Sequence, residues 1–249
     1  MVPLRGFVDC HSHLAPTGDD GARSVEEGVG LARDAAAAGT AVLYCTPHVW
    51  DDLPMHPARE ARFRDAVAEM RARLGAAGPE LRIGFELTPA PALLDEDPRR
   101  YLLQGTQLCL VETPFAGGLA QFWRLAEHVA AAGLTPLVAH PERSMAFSGG
   151  GSGGSGRLDE LLERGWPVQV TGASVSGRNG HDAERTAFRI LQRHEATVVA
   201  SDGHRAYRPA TLDAAWAVAV ARLGEERTEH VFGGAGIAGL TPGAGGAAA

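Results

Sequence analysis

Gly6-Phe7-Val8-Asp9-Cys10-His11-Ser12-His13 is the stretch that decides how this chain is read. A short apolar run ends in two histidines two residues apart. If the run is a strand, alternation sends both imidazoles to the same side. Two neutral imidazoles converging on one point can grip a transition metal. A surface His-x-His also arises by chance, so the rest of the chain must decide between the two.

Working outward, short apolar runs alternate with longer amphipathic segments. The pattern predicts strands at 6–10, 41–45, 81–86, 107–111, 134–139, 167–171 and 197–201. Helical patterns fall near 24–38, 58–76, 118–132, 157–165, 181–194 and 210–223, and Ser24 with Glu27 forms a capping box. Such alternation implies an α/β fold with a mainly parallel sheet, open or closed. A single domain is expected over 1–232. Ser148 to Gly156 (SGGGSGGSG) reads as a flexible loop, and the Gly/Ala-rich stretch 233–249 as a disordered tail.

Composition narrows the function. The chain has 249 residues, 45% of them hydrophobic, and a net charge of −7, which argues against nucleic acid as a partner. All 23 basic residues are Arg, so Schiff-base and Walker-lysine chemistry are excluded. Cys10, Cys45 and Cys109 sit in or beside strand-like runs, as expected of buried thiols in a reducing cytoplasm. No apolar run approaches the ~18 residues of a membrane span, so no membrane insertion is expected, and nothing before Asp9 reads as a signal peptide.

In parallel α/β folds, sites gather at the C-terminal ends of strands. Nearly every strand here ends in a potential metal ligand: His11 and His13, then Asp19-Asp20, followed by His48, Glu86, Glu112, His140, and Asp202 with His204. Glu86 and Glu112 each terminate an apolar run, where an unpaired carboxylate is costly and a cation would neutralise it. Taken singly, Asp20 reads equally well as a helix cap, and His48 and His140 as core histidines. Jointly, the clustering favours metal. His56, His128, His181, His194 and His230 lie away from the strand ends and read as surface or structural, while Trp50 and Tyr207 follow site segments and read as ordinary packing, with pocket lining as the alternative.

These residues together resemble the PHP (polymerase and histidinol phosphatase) superfamily, most closely its bacterial CpsB/CapC-type protein-tyrosine phosphatases. The matching pieces are Asp-x-His-x-His (9–13), Asp-Asp-Gly (19–21), Thr-Pro-His (46–48), Gly-x-Glu (84–86), Glu-x-Pro (112–114), Ala-His-Pro-Glu-Arg (139–143) and Ser-Asp-x-His with Arg-Pro (201–209). The resemblance implies a distorted (β/α)7 barrel holding three divalent metal ions, manganese above all, with iron or zinc as alternatives. It places His11, His13, Glu86 and Asp202 on a first metal, Glu86, Glu112 and His140 on a second, and Asp20, His48 and His204 on a third, with Asp9 orienting a ligand. Arg143 and Arg208 would bind the substrate phosphate, and with Glu112 and Asp202 they are the catalytic candidates.

The sequence departs from the family pattern at Val49-Trp50-Asp51-Asp52, where a further basic residue usually follows the histidine. The chemistry implied is attack of a metal-shared hydroxide on phosphorus. A phosphotyrosine protein substrate is expected, a bacterial tyrosine kinase of capsule or exopolysaccharide export. The alternatives are a small phosphate ester, as in histidinol-phosphatase, or a non-catalytic metal-binding regulatory protein.

Overall fold

The structure is a computed structural model and describes residues 6–148 and 152–241. Its strands are β1 (Phe7–Asp9), β2 (Thr40–Cys45), β3 (His48–Val49), β4 (Glu80–Ile83), β5 (Glu86–Leu87), β6 (Leu108–Glu112), β7 (Thr135–Ala139), β8 (Val168–Thr171) and β9 (Thr197–Ala200). All pair in parallel, in the orders β1-β2-β4 and β3-β5-β6-β7-β8-β9. β3 continues β2 past Pro47, and β5 continues β4 past Gly84, so the nine segments make seven barrel staves. A bridge between Ser12 and Gly203, with Asp202 N donating to His11 O at 2.9 Å, closes β1 onto β9. The result is the seven-stranded parallel barrel expected.

Helices α1 (Val25–Ala37), α2 (Pro57–Leu74), α3 (Ala120–Ala131), α4 (Met145–Ser148), α5 (Ser152–Glu163), α6 (Gly172–Val175), α7 (His181–Arg193), α8 (Asp213–Leu223) and α9 (Glu225–Phe232) connect the staves. The capping interaction at α1 is present, with Glu27 N donating to Ser24 Oγ at 3.1 Å. Alternation along the strands separates two cores. Leu43, Cys45, Val111, Val138, Val170 and Val199 face the helices, while Val8, Val42, Tyr44, Leu110, Leu137 and Val198 fill the barrel interior.

Two expectations need correction. Ile237 and Leu240 are buried in the interior cluster, so the packed chain runs past 232 and the stretch 233–241 is not a frayed tail. Gly234 and Gly239, at φ of 68° and 85°, let the chain turn tightly enough to insert these two side chains. Residues 242–249 lie outside the described residues. The Ser148–Gly156 stretch is not all loop either, since the chain is helical from Ser152. Leu158 and Leu161 are fully buried, and that packing sustains a helix that glycine propensity alone disfavours. Residues 149–151 of that stretch lie outside the described residues.

Candidate metal centre

The strand ends are locked before any ligand is placed. Ser12, between the two histidines, points away from them, donating its hydroxyl to Tyr44 O at 2.5 Å and its amide to Thr46 Oγ1 at 3.0 Å. Asp9 accepts from Ser201 N at 2.9 Å and His11 N at 3.3 Å, joining the ends of β1 and β9. It reaches the proposed ligand His11 through that residue's backbone amide. Gly21 is required by crowding: a Cβ there would lie 2.2 Å from His13 O. His140 and Asp202 have φ of 37° and 52° and are the only non-glycine residues at positive φ among the described residues. Such conformations cost free energy and concentrate at functional sites.

Glu86 is the hub. Its Oε2 lies 3.0 Å from His11 Nε2, 3.1 Å from His13 Nε2 and 3.1 Å from His48 Nδ1, while Oε1 lies 3.1 Å from His140 Nε2. Asp202 Oδ1 is 3.5 Å from His11 Nε2 and 3.7 Å from His13 Nε2. Asp20 Oδ1 is 3.2 Å from His204 Nε2 and 3.8 Å from His48 Nε2. Glu112 accepts from Thr88 Oγ1 at 2.6 Å. Asp20 stands at the open side with its side chain 56% exposed, whereas the five histidines, Glu86, Glu112 and Asp202 are buried.

All nine expected ligands are gathered. Donor atoms within 4.8 Å of one another form four overlapping sets: His11, His13 and Asp202; His11, Glu86 and His140; His48, Glu86 and Glu112; and His13, Asp20, His48 and His204. The sets share residues differently from the expected partition, His48 reaching Glu86 and Glu112, and His13 reaching the Asp20 set.

The donor set fits divalent cations on three counts. His11 Nε2 and His13 Nε2 face each other at 3.2 Å, where two lone pairs repel unless positive charge lies between them. Glu86 Oε2 is buried without a hydrogen bond of acceptable geometry. The far nitrogens of three rings are also engaged: His11 Nδ1 meets Gln169 Oε1 at 3.0 Å, His13 Nδ1 meets Asp19 Oδ2 at 3.1 Å, and His204 Nδ1 meets Asp202 O at 2.9 Å. A proton on each Nδ1 leaves Nε2 as the inward donor.

Electrostatics agree with this reading. Burial opposes protonation of His11 and His13, yet the carboxylates around them raise both above the ordinary imidazole value, the direction expected where negative charge converges on a site suited to a cation. Burial lowers His48 to about 4, leaving it neutral. Burial, reinforced by the Glu86 charge, pushes Glu112 up to about 8.

Arg143 Nη1 donates to Asp202 Oδ2 at 2.5 Å, and Arg208 Nη2 donates to the same oxygen. Both guanidiniums also line a cavity of about 210 Å³ beside the cluster.

Several residues have roles that their sequence positions did not reveal. Asp19, next to the exposed Asp20, is the partner of His13, and Gln169 is the partner of His11. Arg59, 2% exposed, donates to Thr17 O, Leu53 O and His48 O, pinning two loops to β3. Phe115 lies 4.4 Å beneath Arg143 and stacks near His140. Only Asp19 carried a signal, its place in Asp-Asp-Gly. The Trp50 ring packs tilted against His48, with centroids 4.7 Å apart, and Tyr207 lines the cavity. His56 caps α2, and His128 and His194 bond backbone carbonyls away from the cluster.

The chain is 27% identical over 202 residues to tyrosine-protein phosphatase YwqE of Bacillus subtilis, covering 80% of this chain and 77% of the relative. It is 24% identical over 236 residues to tyrosine-protein phosphatase CpsB of Streptococcus pneumoniae, covering 91% and 95%. The fold superposes with a TM-score of 0.77 and 26% identity, over 90% of each chain, on a structure from work on YwqE and CpsB, described there as unique metal-dependent tyrosine phosphatases. Residues 7–237 match the family described as capsular polysaccharide synthesis, CpsB/CapC, and the chain belongs to that family.

Proposed function

We propose that this protein is a metal-dependent protein-tyrosine phosphatase that acts on a bacterial tyrosine kinase of capsule or exopolysaccharide synthesis in the cytoplasm. The observation that carries the reading is a nine-residue donor cluster at one barrel rim, flanked by two arginines that open onto a cavity. His11, His13, Glu86 and Asp202 would hold one ion, Glu86, Glu112 and His140 a second, and Asp20, His48 and His204 a third. Imidazole mixed with carboxylate suits manganese, iron or zinc, and manganese is the choice the family resemblance favours. Such ions, when bound, supply Lewis acidity and lower the pKa of water.

The chain's own groups supply the rest. Glu86 spans the cluster, with one oxygen toward three imidazoles and the other toward His140. Arg143 and Arg208 are fixed in direction by their shared bond to Asp202, and their remaining N–H groups offset charge on the phosphate oxygens. A phenolate leaving group, with parent pKa about 10, needs less proton assistance than an alkoxide. No helix among the described residues is long and apolar enough to cross a membrane.

The test compares rates on a phosphotyrosine peptide, histidinol phosphate and a phosphoserine peptide with manganese present. The phosphotyrosine peptide should be fastest. A preference for histidinol phosphate would move the assignment to small-molecule chemistry, and bound metal without turnover of any of the three would favour a regulatory role.

A further inference from the structure

The cavity beside the cluster has a wall that the proposed reaction does not use. At about 210 Å³ it exceeds the roughly 150 Å³ that admits a benzene ring. Arg143 and Arg208 line it while bound to Asp202, and Arg178, Asn179, Thr171 and Tyr207 extend it. Arg178 sits in the turn after α6, its amide bonded to Ala173 O at 2.8 Å. The turn is braced: Asn179 Nδ2 donates to Ser174 Oγ at 3.0 Å, and that hydroxyl donates to buried Glu142 at 2.7 Å, one residue from Arg143. Among the described residues, the Arg178 guanidinium meets no carboxylate, unlike Arg143 and Arg208. Thr171 is 2% exposed, and its hydroxyl has no partner. Three guanidiniums thus surround a cavity in a chain whose net charge is −7, and the local field selects anions.

We propose that Arg178, with Asn179 and Thr171 beside it, forms a subsite for a second anionic group of the substrate. That group is a carboxylate or phosphate borne by a residue close to the phosphotyrosine being hydrolysed. Arg143 and Arg208 are tied to the metal cluster through Asp202 and serve the reacting phosphate. Arg178 carries no such tie and is free to bind a different anion. The subsite rests on the phosphatase reading above and adds a sequence preference to it.

Three peptides test it, each with one hydrolysable phosphotyrosine flanked by Gln, by Glu, or by a non-hydrolysable phosphonate analogue of phosphotyrosine. The measured quantity is kcat/KM relative to the Gln peptide, for wild type and Arg178→Gln, at low and high salt. A general loss of activity cancels in that ratio. Wild type should favour Glu by up to about fivefold, the size of an exposed ion pair, through KM, with the preference shrinking in salt. The arm with the larger ratio, Glu or phosphonate, identifies the source of the anion. Arg178→Gln should bring both ratios to one. Equal kcat/KM for all three peptides in wild type, or unchanged ratios in Arg178→Gln, would overturn the subsite. Failure of wild type on every peptide and on p-nitrophenyl phosphate would instead overturn the phosphatase reading beneath it.

Discussion

Replacing Asp19 by Ala tests whether the partner of His13, a proposed metal ligand, orients that ligand. The Asp19 carboxylate accepts from His13 Nδ1 at 3.1 Å, His48 N at 3.2 Å and Gly21 N at 3.3 Å. Its loss frees the His13 ring to rotate and change tautomer, and it unpairs two amides that position β3 and the Asp20 turn. Losing an outer partner of this kind weakens metal binding by about 10–100-fold, or about 1.4–2.7 kcal/mol. Each buried amide left bare adds about 1–3 kcal/mol of instability, less where water enters the vacated space. Isothermal titration of manganese into chelator-treated protein should therefore show Kd raised at least about tenfold, with a lowered Tm. Asp19→Asn keeps the shape but loses the charge and should fall between the two. A folded Asp19→Ala protein whose manganese affinity lies within about twofold of wild type, against the range above, would refute the orienting role.

The remaining predictions concern the arginines, the chain end and pH. Arg143→Ala should raise KM or lower kcat on an aryl phosphate while metal content, read by mass spectrometry, stays near wild type; unchanged kinetics would remove its role at the phosphate. Leu240→Ala should cost about 2–5 kcal/mol in chemical denaturation, because the side chain is fully buried in the barrel interior; a loss within error would return this stretch to the status of a tail. Glu112, held near 8, keeps its proton at pH 7 in the metal-free protein, so a cation must displace it. Manganese binding should release protons and weaken as pH falls below about 8, as titration in buffers of different ionisation enthalpy would show. In the metal-free protein the folded form binds this proton more tightly than the unfolded chain does. Its contribution to stability therefore falls as pH rises from the ordinary carboxylate range toward 8.

What was legible in the sequence was what contrast revealed. A carboxylate or imidazole ending an apolar run is conspicuous, and it marked His11, His13, Glu86, Glu112, His140 and Asp202 together with the staves that carry them. Adjacent acids could not be ranked that way: Asp19 and Asp20 differ only in which one the turn buries. Gln169, a neutral amide on a strand, carries no charge contrast, although it holds His11. Arg59 lies in a helical pattern rich in exposed arginines, and only the packed loops around it reveal its role. Pro47 and Gly84 interrupt two staves, so β3 and β5 appear only once their neighbours set the register. The chain end was misread because two apolar residues among glycines and alanines look like noise until the barrel base that receives them is known.

The central claim is that the rim cluster works as one multi-metal catalytic centre with Glu86 at its hub. The most direct measurement is turnover of phosphotyrosine peptide by chelator-treated protein titrated with manganese, with metal bound per chain counted in the same samples, for wild type and Glu86→Gln. Wild type should be inactive when metal-free and should regain activity as manganese loads, while Glu86→Gln should bind less metal and stay inactive. Undiminished hydrolysis by metal-free wild type, or a fully active and fully loaded Glu86→Gln, would contradict the account.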